Sequence, residues 1–176
     1  MRRIRKWLAL LCAVVCLLPS LTGALAVSRI ITVDAATTTV ERSGAYDTLE
    51  EVAVYLSLYG TLPGNYLTKQ QAYDAGWDSR SGNLWEVAPG SAIGGDRFGN
   101  YEGSLPDARG RTWRECDIGY TGRYRNGQRL LYSSDGLLFY TDDHYNTFRQ
   151  IEIQHLQTEA VLPAATDRTS DNGAGK

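Results

Sequence analysis

The first apolar pattern in the chain is a run from Trp7 to about Ala26, behind Met-Arg-Arg-Ile-Arg-Lys. A basic start, an apolar stretch and Ala24-Leu25-Ala26 before Val27 read as a secretory signal over 1–26 with a small-x-small cleavage site. The run approaches the roughly 20 residues of a membrane-spanning helix, so a retained anchor is the rival reading. Pro19, Gly23 and the small residues after them favour cleavage, and with it a secreted protein with no stable membrane association. From Ser28 to about Gly44 the chain is rich in Thr and Ala without an amphipathic period, so 27–44 reads as a linker or pro-segment.

Helical spacing begins at Leu49. Leu49, Val52, Ala53, Leu56 and Tyr59 form one apolar face. Thr48 and Glu51 give a capping-box pattern, and Gly60 followed by Pro63 ends the helix. A second short helix runs from Lys69 to Ala75, capped by Thr68 and ended by Gly76; Asn83–Val87 reads as a third, closed by Pro89-Gly90. After Gly90 the period changes to two. Ala92–Asp96 is a glycine-weakened strand, 97–103 a loop, and 112–118, 128–133, 137–141 and 147–151 are strands separated by turns. Helices first and consecutive strands later predict an α+β fold, with N-terminal helices packed on a C-terminal antiparallel β-sheet. The folded unit is 45–153, enough for one core. Residues 154–176 have little to bury and read as a disordered tail with a solvated His155 at its edge.

Cleavage changes the charge balance. The leader's basic start holds four of the 18 basic residues and none of the 20 acidic ones, so the remaining chain carries a net charge of −6. Bulk positive charge therefore does not recruit a nucleic acid. Locally the sign reverses: Arg109 to Arg129 contains six arginines against Glu115 and Asp117, a net of +4, which can focus field on a phosphate. Cys12 and Cys16 leave with the signal and Cys116 remains alone, which excludes an intramolecular disulfide. With only His144 and His155 as imidazoles, no zinc set is expected, and neither a metal nor another cofactor is called for.

The densest chemistry lies in Arg111–Ile118. Period two puts Trp113, Glu115 and Asp117 on one face and Thr112, Arg114, Cys116 and Ile118 on the other. Cys116 and Ile118 mark the core face, so Cys116 reads as a buried thiol rather than a nucleophile. Glu115 then lies on the concave or open face, where a solvated carboxylate is the bland alternative. Lys69 at a helix start is electrostatically odd; it is either an ordinary surface lysine or a cation aimed at an anion. RNA carries its own nucleophile, the ribose 2′-hydroxyl. Its cleavage needs a base, an acid for the leaving 5′-oxygen and cations for the phosphate. Glu115, His144 and the set Lys69, Arg125 and Arg129 could fill these roles if antiparallel neighbours bring them together.

Longer stretches carry a resemblance. Leu62-Pro63-x-Asn65-Tyr66-x-Thr68-Lys69, Gly76-Trp77, Gly82-Asn83-Leu84 and Val87-Ala88-Pro89-Gly90 are followed by Ile93-Gly94-Gly95-Asp96 and Gly110-Arg111-Thr112-Trp113-Arg114-Glu115-x-Asp117-Ile118. Tyr120-Thr121, Arg125-Asn126, Leu131-Tyr132-Ser133-Ser134-Asp135 and Asp143-His144-Tyr145-x-Thr147-Phe148 complete them. From about Ala45 to Ile151 the chain resembles the secreted bacterial guanyl-specific ribonucleases, the barnase-like family. The resemblance implies the microbial ribonuclease fold and a metal-independent endoribonuclease of single-stranded RNA, working through a 2′,3′-cyclic phosphate. It implies Glu115 as base, His144 as acid, and Lys69, Arg125 and Arg129 on the phosphate. Phe98, Asn100, Tyr101 and Glu102 would form the guanine loop, with Glu102 reading the base rather than standing as a solvated loop acid. Tyr145 would line the site, Asp96 and Asp117 support it, and Asp135 pair with Arg111. It further implies a monomer and an acidic inhibitor of the barstar type as partner. Tyr101 stands where close members carry Arg, Gly136 where they carry a large aromatic, and Cys116 where they carry Ala. The rival readings are a catalytically reduced binding or toxin module and an extracellular polyanion binder; neither needs both Glu115 and His144.

Overall fold

The structure, a computed structural model, describes residues 30–154. The signal segment, His155 and the rest of the expected tail lie outside the described residues. Among those described, no helix is long and apolar enough to cross a membrane.

Three helices precede most of a seven-stranded sheet. They are α1 (Leu49–Tyr59), α2 (Lys69–Asp74) and α3 (Leu84–Val87). The strands are β1 (Ile30–Asp34), β2 (Tyr66–Leu67), β3 (Ala92–Phe98), β4 (Trp113–Asp117), β5 (Arg129–Ser133), β6 (Leu138–Thr141) and β7 (Arg149–Gln154), in the order β1-β7-β6-β5-β4-β3-β2. The expected α+β arrangement is present. The sheet is mixed rather than purely antiparallel: β3 to β7 pair antiparallel, while β1 joins β7 and β2 joins β3 in parallel.

Capping fixes the helix starts. Thr48 accepts the Glu51 N–H, but its hydroxyl donates to the Glu51 carboxylate at 2.6 Å, so this box lacks the expected bond to the Thr48 N–H. The complete box lies at α2. There Thr68 accepts the Gln71 N–H and gives its own N–H to Gln71 Oε1 at 2.9 Å. Gly60 ends α1 in the left-handed region at φ 69°, where glycine avoids a Cβ penalty.

Three apolar clusters result. The largest joins α1 (Val52, Ala53, Leu56) to one sheet face through Cys116, Ile118, Leu130, Leu138 and Ile151. A second gathers Ala72, Trp77, Leu84, Ile93 and Tyr120 around α2 and α3. The third lies on the opposite sheet face and packs Trp113, Leu131 and Phe139 beneath Leu105. Cys116 is fully buried, and burial pushes its thiol well above the usual range, which makes it inert as a nucleophile.

Two local expectations change. Ile30–Asp34 lies inside the stretch read as linker, yet it forms β1 in register with Gln150–Gln154. Val33 is 2% exposed in the main core. The Ala-Ala-Thr-Thr-Thr run at 35–39 set the reading of the whole stretch, although Ile30-Ile31-Thr32-Val33 just before it is β-branched; its pairing partner lies at the other end of the fold. Secondly, β3 continues through Arg97 and Phe98, which the sequence suggested were loop. A register shift between Gly94 and Asp96 absorbs one residue as a bulge and keeps the strand paired beyond the glycines.

Candidate active site

The face of the sheet away from α1 builds the site. Cross-strand register sets Asp96, Glu115 and Leu131 side by side, and likewise Asp117, Arg129 and Thr141. Glu115 was expected on a concave or open face; it lies on that face but is only 7% exposed, where the Leu105–Phe139 cluster and Tyr145 cover the sheet. Glu115 Oε1 accepts from Lys69 Nζ at 2.9 Å and Oε2 from the Tyr145 hydroxyl at 2.7 Å. Burial, then the bond to Glu115, push Tyr145 up to about 12, so it stays a donor at neutral pH.

Lys69 explains its position at a helix start. Its backbone N–H donates to Asp96 Oδ2 at 2.9 Å while its ammonium turns to Glu115. The anion at this helix end is thus a carboxylate of the protein. One residue separates the charges of Asp96 and Glu115, which would otherwise repel across the ladder.

Asp117 organises the arginines and is fully buried. Arg125 grips it through Nε to Oδ2 at 2.7 Å and Nη2 to Oδ1 at 2.6 Å. Arg129 Nε lies 3.0 Å from Oδ1 as an ion pair, but its N–H is not aligned for a hydrogen bond. Arg129 Nη1 donates to the Asn126 and Gln128 carbonyls at 2.8 and 2.6 Å. With Arg129 3% exposed and the Arg125 side chain 22% exposed, Arg125 is the more accessible cation.

His144 is exposed and reaches the same end of the sheet through its backbone, whose N–H donates to the Gly127 carbonyl at 3.2 Å. Gly127 allows this approach: a Cβ there would lie 2.8 Å from His144 Nδ1. His144 and Tyr145 both hold positive φ, 53° and 71°, an uncommon state for such side chains. A knot around Asp143 imposes it. Asp143 accepts from the Thr141 hydroxyl and from the Thr147 N–H and hydroxyl, at 2.7–2.9 Å, and Thr141 Oγ1 accepts the Tyr145 N–H. The Thr147 bonds, then the Thr141 bond, hold Asp143 down at about 2, from an ordinary 3.8. Because the folded value is depressed, this stabilisation is complete above about pH 4 and is lost as pH falls toward 2. An acid titration followed at the Tyr145 and Thr147 amides is expected to show the loop loosening over that range. Asp143→Asn should abolish the transition.

The guanine-loop candidates divide. Phe98 stacks on Tyr145 with centroids 5.6 Å apart. Asn100, at φ 46°, closes the loop by exchanging two 2.9 Å side-chain bonds with the Leu105 backbone. Tyr101 is 95% exposed, and Glu102 is exposed with no side-chain hydrogen bond among the described residues. Asp135 meets Arg111 as expected, with Arg111 Nε and Nη2 donating at 2.9 and 2.7 Å. Gly127, Asn126 and the Asp143 knot escaped the sequence reading. Asn126 ties the β4–β5 turn to the Ile118 and Gly119 carbonyls, and the only local signal was Asn-Gly in a turn. Among the described residues no group of three or more His, Cys, Asp and Glu side chains is placed to hold a metal ion.

The α+β scaffold thus gathers a carboxylate tied to an ammonium, an arginine pair on a buried aspartate, and a histidine on the loop beside them. The chain belongs to the ribonuclease family, whose model matches residues 50–152. It is 57% identical to a ribonuclease of Heyndrickxia coagulans over 105 residues, covering 60% of this chain and 96% of that protein. Ribonucleases of Bacillus intermedius and Bacillus pumilus are each 54% identical over 115 residues, covering 65% of this chain and 71% of theirs.

Proposed function

We propose that the protein is a secreted, metal-independent endoribonuclease that cleaves single-stranded RNA 3′ of guanine. The observation that carries this reading is Glu115, held between Lys69 and Tyr145 beside the Asp117–arginine cluster. Glu115 takes the proton of the ribose 2′-hydroxyl as O2′ bonds to phosphorus. The bond from phosphorus to O5′ breaks, and His144 gives O5′ a proton, leaving a 2′,3′-cyclic phosphate. Water then opens the ring with the two roles reversed. Lys69 and Arg125 face the charge that builds on the phosphate, and Arg129 acts from the floor of the site.

The 98–102 loop would present guanine to Glu102 and to backbone groups, with Tyr101 offering a ring face for stacking instead of a cation. An acidic inhibitor of the barstar type is the protein partner this reading calls for. The test is cleavage of single-stranded RNA in EDTA, together with dinucleotides that differ only in the 5′ base. Activity is expected to survive the chelator, and the guanosine dinucleotide to react fastest. Loss of activity in EDTA would overturn metal independence. Equal rates for guanosine and adenosine would remove the recognition role from Glu102.

A further inference from the structure

The sheet face turned away from Glu115 carries an arginine pair that the catalytic arrangement does not use. Arg97 of β3 and Arg114 of β4 are direct cross-strand neighbours, and both are exposed. Like charges in this relation destabilise a sheet. Among the described residues no ion pair neutralises either one. Arg114 Nη1 donates to the Gly95 carbonyl, and Arg97 makes no side-chain hydrogen bond among the described residues.

The pair heads a row that continues through Tyr132 and Leu138 on the next two strands. Arg114, Tyr132 and Leu138 line one side of a cavity of about 850 Å³, with Leu56 and Leu62 among the residues on the other. That volume lies within the roughly 300–1,000 Å³ of ligand sites. Thr112 and Ser134 also line the cavity. The groove is thus cationic at one end, aromatic in the middle and apolar beneath α1.

A path joins it to the catalytic face. β2 covers only Ala92 and Ile93 of β3 and the start of α2 sits against Asp96, so among the described residues no strand pairs with that edge of β3 at Arg97 and Phe98. Phe98 stacks on Tyr145 on the catalytic face, whereas Arg97, the adjacent residue, projects to the other side. A strand of RNA laid over Phe98 can round this edge and meet Arg97 and Arg114 directly. Because the chain after the signal carries a net charge of −6, attraction of a polyanion to this face must come from local charge.

We propose that Arg97, Arg114 and the Tyr132 wall of the groove form an exosite that holds the phosphates of the RNA chain after it rounds the edge of β3. The inference rests on the RNA-cleaving reading of the opposite face. The exosite supplies affinity for long substrates and leaves the chemical step alone.

Binding of an uncleaved single-stranded oligoribonucleotide is measured in a Glu115→Gln background, so that this arm does not depend on cleavage. Arg97→Gln with Arg114→Gln is expected to raise Kd about 10-fold. The dependence of log K on log salt should become shallower by about 0.7 per arginine lost. In the otherwise native enzyme the same pair should raise KM for long RNA and leave kcat/KM for a guanosine dinucleotide unchanged. Arg97→Gln alone guards against a folding defect at Arg114. Arg97→Glu should weaken RNA binding further while raising the urea midpoint, because it converts a repulsive pair into an attractive one. Unchanged Kd and salt slope in Arg97→Gln and in the double variant would overturn the exosite. So would an equal loss on the dinucleotide, or binding of an acidic peptide in preference to RNA. A native enzyme inactive on every RNA, with binding still dependent on Arg97, would sink the cleavage reading and leave the exosite standing.

Discussion

Glu115→Gln is expected to lower kcat for RNA cleavage by about 10²–10⁴-fold with little change in stability. The amide keeps the volume of the carboxylate but cannot take the 2′-hydroxyl proton. Lys69 loses its anion, yet its side chain is 38% exposed and can turn to water. His144→Ala should cost a similar factor, and the double variant should fall short of the product if the two act in the proposed proton transfer sequence. The pH profile separates them. A base must be unprotonated, so Glu115→Gln removes the acid limb of kcat/KM; an acid must be protonated, so His144→Ala removes the alkaline limb. Full activity in both variants would sink the assignment. Steady-state kinetics on one oligonucleotide across pH, beside urea unfolding of each variant, is the measurement.

The second large effect is one of stability. Asp117→Ala is expected to cost about 3–5 kcal/mol, the range for breaking a buried ion pair from one side. Arg129, 3% exposed, would keep a charge with no anion against it. Arg125 would lose both of its bonds to Asp117 and with them its fixed position. Against a total stability of roughly 5–15 kcal/mol, this approaches unfolding. Asp117→Asn keeps the shape and separates charge from packing. Urea midpoints and kcat should fall together for both variants, with Asn milder. A loss below about 1 kcal/mol in Asp117→Ala would mean that Arg129 is neutralised elsewhere. Asp117 holds both arginines while being fully buried itself.

Much of the site's scaffold was legible from local pattern. Period two over 112–118 separated Cys116 from Glu115, and the register confirms that division. Thr48 and Thr68 marked helix starts because a cap involves residues only three apart. The sequence reading makes Glu115 and Lys69 members of one site, with Lys69 on the phosphate; their direct bond spans 46 positions in the chain, and nothing between them specifies it. β1 shows the same limit more sharply. Ile30-Ile31-Thr32-Val33 is a β-branched run with its own local strand preference, but its parallel pairing with β7 at the far end of the fold and the burial of Val33 in the main core are tertiary. The β3 bulge also escaped notice, since glycine content signalled weakness at 94–95 but not the continued pairing of Arg97 and Phe98.

By itself the sequence determined the helices and the central strands, the two faces of the 112–118 strand, the fold class, and the residue types from which an RNA-cleaving site can be made. Those properties depend on backbone preferences, capping and periodicity within a few residues. The tertiary structure decided that Glu115 is buried between Lys69 and Tyr145, that Asp117 holds two arginines, and that the Asp143 knot forces His144 into a left-handed turn. It also set Arg97 against Arg114 on the reverse face. Each of these depends on strand register and the bulge, through which burial and charge pairing act between residues far apart in the chain.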